Sequence, residues 1–410
     1  MYITRHIEDA VLKRAKMKGA VVVTGARQVG KTTLIQNLVK HLEKDIPYLS
    51  LDDLRVRRAA IDEPAAFFEL NPPPLFIDEV QYAPALFHYI KILLDKSKKK
   101  GEFFLTGSQS FVLMENITES LAGRAGVLEL LGLSLRETRN ETWNIPFLPT
   151  TEYVKARKKT AIPLPIREAW NIIHRGSMPE LTVEPAFDWQ DFYSDYVKTY
   201  IERDVRKLAQ VGDEGDFLKF MTVAAAMTGQ MLNLASMARD IGISEPTAKR
   251  WLSILRGSGL VYLLKPYHNN AIKRAVKTPK IHFLDIGLAA YLTRWLGSET
   301  LSSGAMSGHF FESFVFAEIL KSYTNAGKEA DFYFLRDGSQ KEIDLLIHEN
   351  NTLYPLEVKT HTDPTPGDIK HFSVIENVKS LNVGEGGVIC LANELLPLTD
   401  THKVIPVSFI

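Results

Sequence analysis

Gly25-Ala26-Arg27-Gln28-Val29-Gly30-Lys31-Thr32 spells G-x-x-x-x-G-K-T. It is entered from the apolar run Ala20-Val21-Val22-Val23 and followed, from Thr33 to Lys40, by helix-forming residues. A strand, a glycine loop and a helix in that order are the context a phosphate-binding loop requires. The two glycines let the backbone curl its N–H groups around a triphosphate, and the helix directs its positive N-terminal end at the same charge. The segment Gly25 to Thr33 is therefore the expected ATP-binding loop. Lys31 would reach the β- and γ-phosphates and Thr32 would hold Mg²⁺.

Working outward, Pro73-Pro74-Leu75-Phe76-Ile77-Asp78-Glu79 reads as a short buried strand that opens after a proline stop and ends in two acids, the form of a Walker B segment. Asp78 would ligate Mg²⁺ through water and Glu79 would orient the attacking water; two adjacent acids could otherwise mark a solvated turn. The spacing from the P-loop leaves room for an intervening strand. A third strand, Glu102 to Thr106, ends in Gly107-Ser108-Gln109, where polar groups would sense a γ-phosphate; Ser108 is the expected sensor, with Thr106 behind it. Arg124 precedes a further strand, Gly126 to Leu130. Two readings of it stay open. It stabilises charge on the transferred phosphoryl group, in its own subunit or a neighbour's, or it is a surface arginine pairing with Glu129 or Glu119.

Composition bounds the alternatives. The 410 residues are 45% hydrophobic and 24% charged, ordinary soluble material long enough for several domains. No apolar stretch approaches the roughly 20 residues of a membrane span, and Met1 to His6 has no apolar signal-peptide core. The single cysteine, Cys390, lies among Val388, Ile389 and Leu391, so it reads as an inert core thiol and excludes an internal disulfide or a Cys-rich metal site. The expected location is the cytoplasm.

Forty-nine basic and forty-nine acidic side chains cancel, which argues against indiscriminate coating of nucleic acid. The balance hides a local excess of Lys and Arg from Leu234 to Lys280. There Leu234 to Ile241 reads as a helix, Gly242-Ile243-Ser244 as a turn, and Glu245 to Arg256 as a second helix capped by Ser244. Trp251, Leu252 and Leu255 share one face, leaving Thr247, Lys249 and Arg250 to point elsewhere. Strands Leu260 to Leu264 and Ile281 to Leu284 flank a basic loop carrying Lys273, Arg274 and Lys277. This is the order of a winged helix-turn-helix, whose second helix enters the major groove while wing cations meet phosphates. DNA or RNA is the expected partner; a lid or protein-docking module with a solvated charged face is the competing reading.

The last hundred residues read as helix His309 to Leu320, strands Asp331 to Arg336, Glu342 to His348 and Thr352 to Thr360, helix Pro366 to Val378 and strand Gly387 to Leu391. Asp344 lies on the second strand, and alternation sends Glu357 and Lys359 of the third to one face. Asp, twelve residues, then Glu-x-Lys is the PD-(D/E)xK nuclease pattern. Glu312, or second to it Glu318, would join Asp344 and Glu357 in binding Mg²⁺, with Lys359 assisting the attacking water. The plainer reading is a pair of amphipathic strands with an exposed salt bridge, and this fold also serves inactive binding roles.

The chain resembles prokaryotic AAA-type ATP-binding proteins in which a P-loop ATPase is followed by a domain of unknown function and a nuclease-like C-terminal region. The resemblance rests on Gly25 to Thr33, Leu75 to Gln81, Leu105 to Ser110, Leu121 to Arg124, Tyr200 to Val205, Phe283-Leu284-Asp285-Ile286-Gly287-Leu288 and Pro355-Leu356-Glu357-Val358-Lys359. It implies ATP binding by a fused AAA-like core. The family commonly has Asp-Thr-Gly where this chain has Asp285-Ile286-Gly287. The expected architecture is an α/β P-loop AAA-type ATPase domain over residues 1–137, a loop-rich and helical connection over 138–213, a winged helix-turn-helix over 214–300 and a restriction-endonuclease-like α/β domain over 301–410. The expected function is Mg-ATP hydrolysis driving action on nucleic acid, in a possible homo-oligomer. The alternative is a nucleotide-dependent switch that remodels a protein partner, with the nuclease-like fold as an inactive docking surface.

Overall fold

A computed structural model describes residues 2–42, 45–108, 119–200, 214–267, 278–376 and 382–410. Gln109, Lys273, Arg274 and Lys277, named above, and most of the segment Tyr200 to Val205 lie outside the described residues.

The first sheet comprises β1 (Ala20–Thr24), β2 (Tyr48–Ser50), β3 (Leu75–Asp78), β4 (Phe103–Gly107) and β5 (Ala125–Glu129), all parallel, in the order β2-β3-β4-β1-β5. All five residues of β1 are buried, as a central parallel strand with both faces covered must be. The strand expected between the P-loop and the Walker B segment is β2. Register aligns Thr24 with Gly107 and Ile77 with Leu105, so the carboxyl ends of β1, β3 and β4 form one edge. Ligands of open parallel sheets bind outside that edge.

Leu131 to Glu137 add no strand to this sheet. After Leu131 the chain leaves the strand path and forms a short helix, Leu135–Thr138. Ser134 and Glu137 cap it reciprocally, a capping box that the Ser-x-x-Glu spacing encodes. The connecting region is helical at Thr151–Arg157, Ile166–Arg175, Pro179–Val183 and Trp189–Tyr200.

The second sheet joins the middle of the chain to its end. Its strands are β6 (Gln230–Met231), β7 (Val261–Pro266), β8 (Lys280–Phe283), β9 (Phe332–Arg336), β10 (Glu342–Glu349), β11 (Thr352–Val358), β12 (Asn382–Val383), β13 (Gly386–Cys390), β14 (Leu396–Pro397) and β15 (His402–Pro406). Their order is β14-β15-β13-β11-β10-β9-β7-β8-β6, with β12 beside β11. The join is the parallel pairing of Lys265 with Tyr333 and Pro266 with Phe334. Antiparallel β7 and β8 follow helices Leu234–Ile241 and Glu245–Gly257, which are separated by a turn at Gly242, left-handed at φ 85°. The helix expected from Pro366 to Val378 begins instead as a 3-10 segment, Pro366–Phe372, and continues as Ser373–Glu376. Helix Ser307–Asn325 is buried along most of its length, packed between the second sheet and the connecting helices.

Candidate phosphate site and C-terminal acid cluster

The P-loop begins where β1 ends. Gly25 has φ +143°, and a Cβ there would stand 2.1 Å from the Leu130 carbonyl oxygen, so no side chain fits. Gly30, at φ +90°, caps helix Lys31–Lys40, whose Leu34, Ile35 and Leu38 are buried. Lys31 is buried and donates from Nζ to the carbonyls of Gly25 (3.1 Å) and Ala26 (2.6 Å), which holds it folded across the loop. The loop is braced from behind by Arg5, which donates to the carbonyls of Val29 (2.9 Å) and Leu131 (2.8 Å) and pairs with Glu137 at 3.0 Å. Burial pushes the Glu137 carboxyl up, but Arg5 and the Ser134 and His6 N–H groups outweigh it and hold it below its ordinary value. Sequence reasoning gave Arg5 no role; an arginine near the N-terminus carries no local signal of a partner 132 residues away.

At the adjacent strand ends, Thr32 donates to both Asp78 oxygens, at 2.9 and 3.0 Å. Asp78 also accepts from Thr106, and from the Tyr48 hydroxyl at 3.1 Å. Burial and the neighbouring Asp78 push the Tyr48 phenol above its ordinary value, keeping it a donor. Glu79 has left-handed backbone, φ 55°, and accepts from Gln81 and from Ser108 at 3.1 Å. Lys31, Thr32, Asp78, Glu79 and Ser108 thus share one edge, with Thr106 behind Asp78. The oxygen donors Thr32 and Asp78 suit a hard cation such as Mg²⁺, which takes carboxylate and phosphate oxygens.

Arg124 is not part of this edge. It precedes β5, whose Ala125 pairs with Ala20 at the opposite end of β1, so roughly 15 Å of strand separate it from the P-loop. Its guanidinium forks onto Asp95 at 2.5 and 2.9 Å. An own-chain role at the phosphates is thereby corrected to a pairing with Asp95, rather than with Glu129 or Glu119.

Helix Glu245–Gly257 buries Ala248, Trp251, Leu252, Ile254 and Leu255 and exposes Lys249, Arg250, Ser253 and Arg256. Thr247 is half-buried and shares its hydroxyl with Ser244 at 2.8 Å, inside the helix cap. In the turn just past the helix stands Gly259, φ +71°, where a Cβ would stand 3.3 Å from the backbone nitrogen of Ala26. The turn closing this helix therefore abuts the phosphate loop. The nearby Asp285-Ile286-Gly287 segment is a packing node. Asp285 accepts from Tyr193 (2.6 Å), from the Ser177 N–H (2.7 Å) and hydroxyl (2.8 Å) and from Leu288 N–H (2.7 Å). A Cβ on Gly287 would press within 2.5 Å of the Tyr193 hydroxyl.

In the C-terminal region, β10 and β11 bring Asp344 and Glu357 together beside Glu312 of helix Ser307–Asn325. Asp344 accepts from Val358 N–H at 2.9 Å, and Lys359 pairs with Glu357 at 2.7 Å. Burial and the charge on Asp344 push the Glu357 carboxyl up to about 9. Asp344, also pushed up by burial, is held below its ordinary value by Lys280 and Lys359. Glu318, the second choice for the helix acid, is elsewhere; it accepts from Leu135 N–H at 2.6 Å and pairs with Lys321 at 2.8 Å. What the sequence pattern missed is Lys280. Its buried ammonium contacts Glu342 at 2.5 Å and Glu312 at 2.8 Å, and lies 3.7 Å from Asp344. Among the described residues no group of three or more His, Cys, Asp or Glu is arranged to hold a metal ion. The residues here do not fit Mg²⁺ while Lys280 stands among them. Cys390 is buried, and burial pushes its thiol up to about 11, out of reach of thiolate chemistry near neutrality.

Three families match successive parts of the chain: an AAA domain over residues 17–139, a domain of unknown function (DUF8612) over 166–299, and a domain of unknown function (DUF4143) over 307–410. Residues 17–139 are thus an AAA-type P-loop domain. An uncharacterized protein of Mycobacterium tuberculosis is 26% identical over 411 residues, covering 99% of this chain and 84% of the relative. One of Methanocaldococcus jannaschii is 25% identical over 400 residues, covering 93% and 83%. Among solved structures, the Thermotoga maritima RuvB Holliday junction branch migration motor is 18% identical, covering 62% of this chain and 86% of that one with a TM-score of 0.30. AMPPCP-bound DnaA from Aquifex aeolicus is 14% identical, covering 61% and 85%, with a TM-score of 0.27. At such TM-scores neither carries a function to this chain. Among the described residues no helix is long and apolar enough to cross a membrane.

Proposed function

We propose that this chain is a Mg-ATP-hydrolysing switch that engages DNA or RNA through helix Glu245–Gly257. The observation that carries the reading is the convergence of Lys31, Thr32, Asp78, Glu79 and Ser108 on the carboxyl edge of the parallel sheet of an AAA domain. Lys31 exchanges its loop carbonyls for the β- and γ-phosphate oxygens of ATP. Glu79 aligns a water for attack on the γ-phosphorus; the bond from that phosphorus to the bridging oxygen breaks, and ADP and phosphate leave. Ser108, bonded to Glu79, couples that carboxylate to the γ-phosphate position. Thr32 and Asp78 would hold the Mg²⁺ that neutralises phosphate charge. Arg124, paired with Asp95 at the far end of the sheet, would meet a phosphate only in a neighbouring copy of a homo-oligomer.

Support for a nucleic-acid output comes from the two helices and the β7–β8 hairpin, which follow the order of a winged helix-turn-helix. The second helix exposes Lys249, Arg250 and Arg256, and its closing turn abuts Ala26. Loading the loop with phosphate pushes on the turn at Gly259 and so re-aims the basic helix. The test is binding of labelled duplex and single-stranded DNA and RNA by the full chain with a non-hydrolysable ATP analogue or ADP, over a salt series. The expected result is nucleotide-dependent affinity that falls steeply with salt and weakens in Lys249→Ala/Arg250→Ala. Affinity indifferent to nucleotide and to both cations would move the output to a protein partner.

A further inference from the structure

Lys280 enters the acid cluster from outside it. The acids belong to helix Ser307–Asn325 and to β10 and β11, whereas Lys280 opens β8, four strands away from β11 in the sheet. Its side chain is 3% exposed, and its Nζ contacts Glu312 at 2.8 Å and Glu342 at 2.5 Å and stands 3.7 Å from Asp344. Arg336 takes the other Glu342 oxygen at 3.1 Å, and Lys359 covers Glu357 at 2.7 Å and approaches Asp344 at 3.9 Å. Three cationic side chains thus face four carboxyl groups. A buried cluster of acids needs compensating positive charge, and a divalent ion is one way to supply it. Here the chain supplies its own. A magnesium ion bound by Glu312 and Asp344 would need their oxygens at about 2.0–2.1 Å, which puts it against the ammonium already between them.

We propose that Lys280 is a built-in cation standing where a divalent metal would bind. The C-terminal acid cluster is thereby a metal-free ion-pair node that pins β8 to the helix and strands of the C-terminal segment. This departs from a metal-dependent nuclease site and holds whether or not the helix Glu245–Gly257 binds nucleic acid. While β8 is paired with β7, cleavage by a metal-held water at Asp344 and Glu357 has no place to occur.

The experiment is Mn²⁺ binding to the nucleotide-free full chain, followed by electron paramagnetic resonance, with thermal unfolding in Mn²⁺ and in chelator alongside. Wild type and Asp344→Asn are expected to bind the same number of ions, and wild type to melt at the same temperature in both solutions. Lys280→Met is expected to gain one ion and to melt higher in Mn²⁺ than in chelator; adding Asp344→Asn to it removes both effects. An ion bound by wild type and lost in Asp344→Asn overturns the proposal, and this arm decides alone if Lys280→Met does not fold. A folded Lys280→Met that still hydrolyses ATP and gains no ion overturns it as well.

Discussion

The phosphate site and the C-terminal acid cluster are both built from carboxylates on strands, yet they are neutralised in opposite ways. Asp78 and Glu79 are met by neutral donors, the hydroxyls of Thr32, Tyr48, Thr106 and Ser108 and the Gln81 amide. Such donors reorient at small cost and leave the negative charge available to a cation and a triphosphate. Glu312, Glu342, Asp344 and Glu357 are met instead by Lys280, Arg336 and Lys359. Charge satisfied inside the chain is not available for recruiting metal. The carboxylates alone do not distinguish a working site from a structural one; the groups opposite them do.

The largest effect expected from breaking this contrast is at Glu79. Glu79→Gln retains a side chain for Ser108 and Gln81 but cannot take up charge, and ATP turnover should fall by a factor of about 10²–10⁴ with nucleotide binding retained; phosphate release and a fluorescent-analogue titration separate the two. Next is Lys280→Met, which leaves three part-buried carboxyl groups facing an apolar chain end. It should cost about 3–5 kcal/mol in urea unfolding, whereas Glu342→Gln, which keeps Lys280 paired with Glu312, should cost less. Gly259→Ala forces a left-handed backbone on a residue with a Cβ, at about 1–2 kcal/mol, and crowds Ala26. It should also weaken nucleotide binding, which isothermal titration would detect; unchanged affinity would sever the link between the loop and the basic helix. The smallest effect is on pH dependence. The folded chain keeps a proton on Glu357 up to about pH 9, while the unfolded chain releases it near 4.5. Stability should therefore fall as pH rises between these values, by at most about 1.4 kcal/mol per unit, and Glu357→Gln should flatten that slope.

Much of this contrast was readable from the chain alone, because local signals suffice where function is local. Gly25, Gly30, Lys31 and Thr32 specify a loop by their own backbone and charge requirements, and the apolar strands before Asp78 and Gly107 give the edge on which it works. The Ser244 cap and the face of Trp251, Leu252 and Leu255 were legible by the same periodicity. Partners distant in sequence were not. Arg5 reaches Glu137, and Lys280 reaches Glu312 and Glu342, through folding that no spacing announces. Lys280 read as one more basic residue of a wing, and Arg124 as a candidate for the phosphates, because a one-dimensional pattern does not say which end of a parallel sheet a residue occupies. The strands β12 and β14 escaped notice because each is only two residues long, too short for an alternating pattern to show.

The most direct measurement is steady-state phosphate release from Mg-ATP by the full chain and by Glu79→Gln, each with and without duplex and single-stranded nucleic acid. The account predicts turnover by wild type that changes when nucleic acid is added, and its near-complete loss in Glu79→Gln under every condition. Equal release by the two proteins would contradict the assignment of the phosphate site, and wild-type release that no nucleic acid alters would contradict the proposed output.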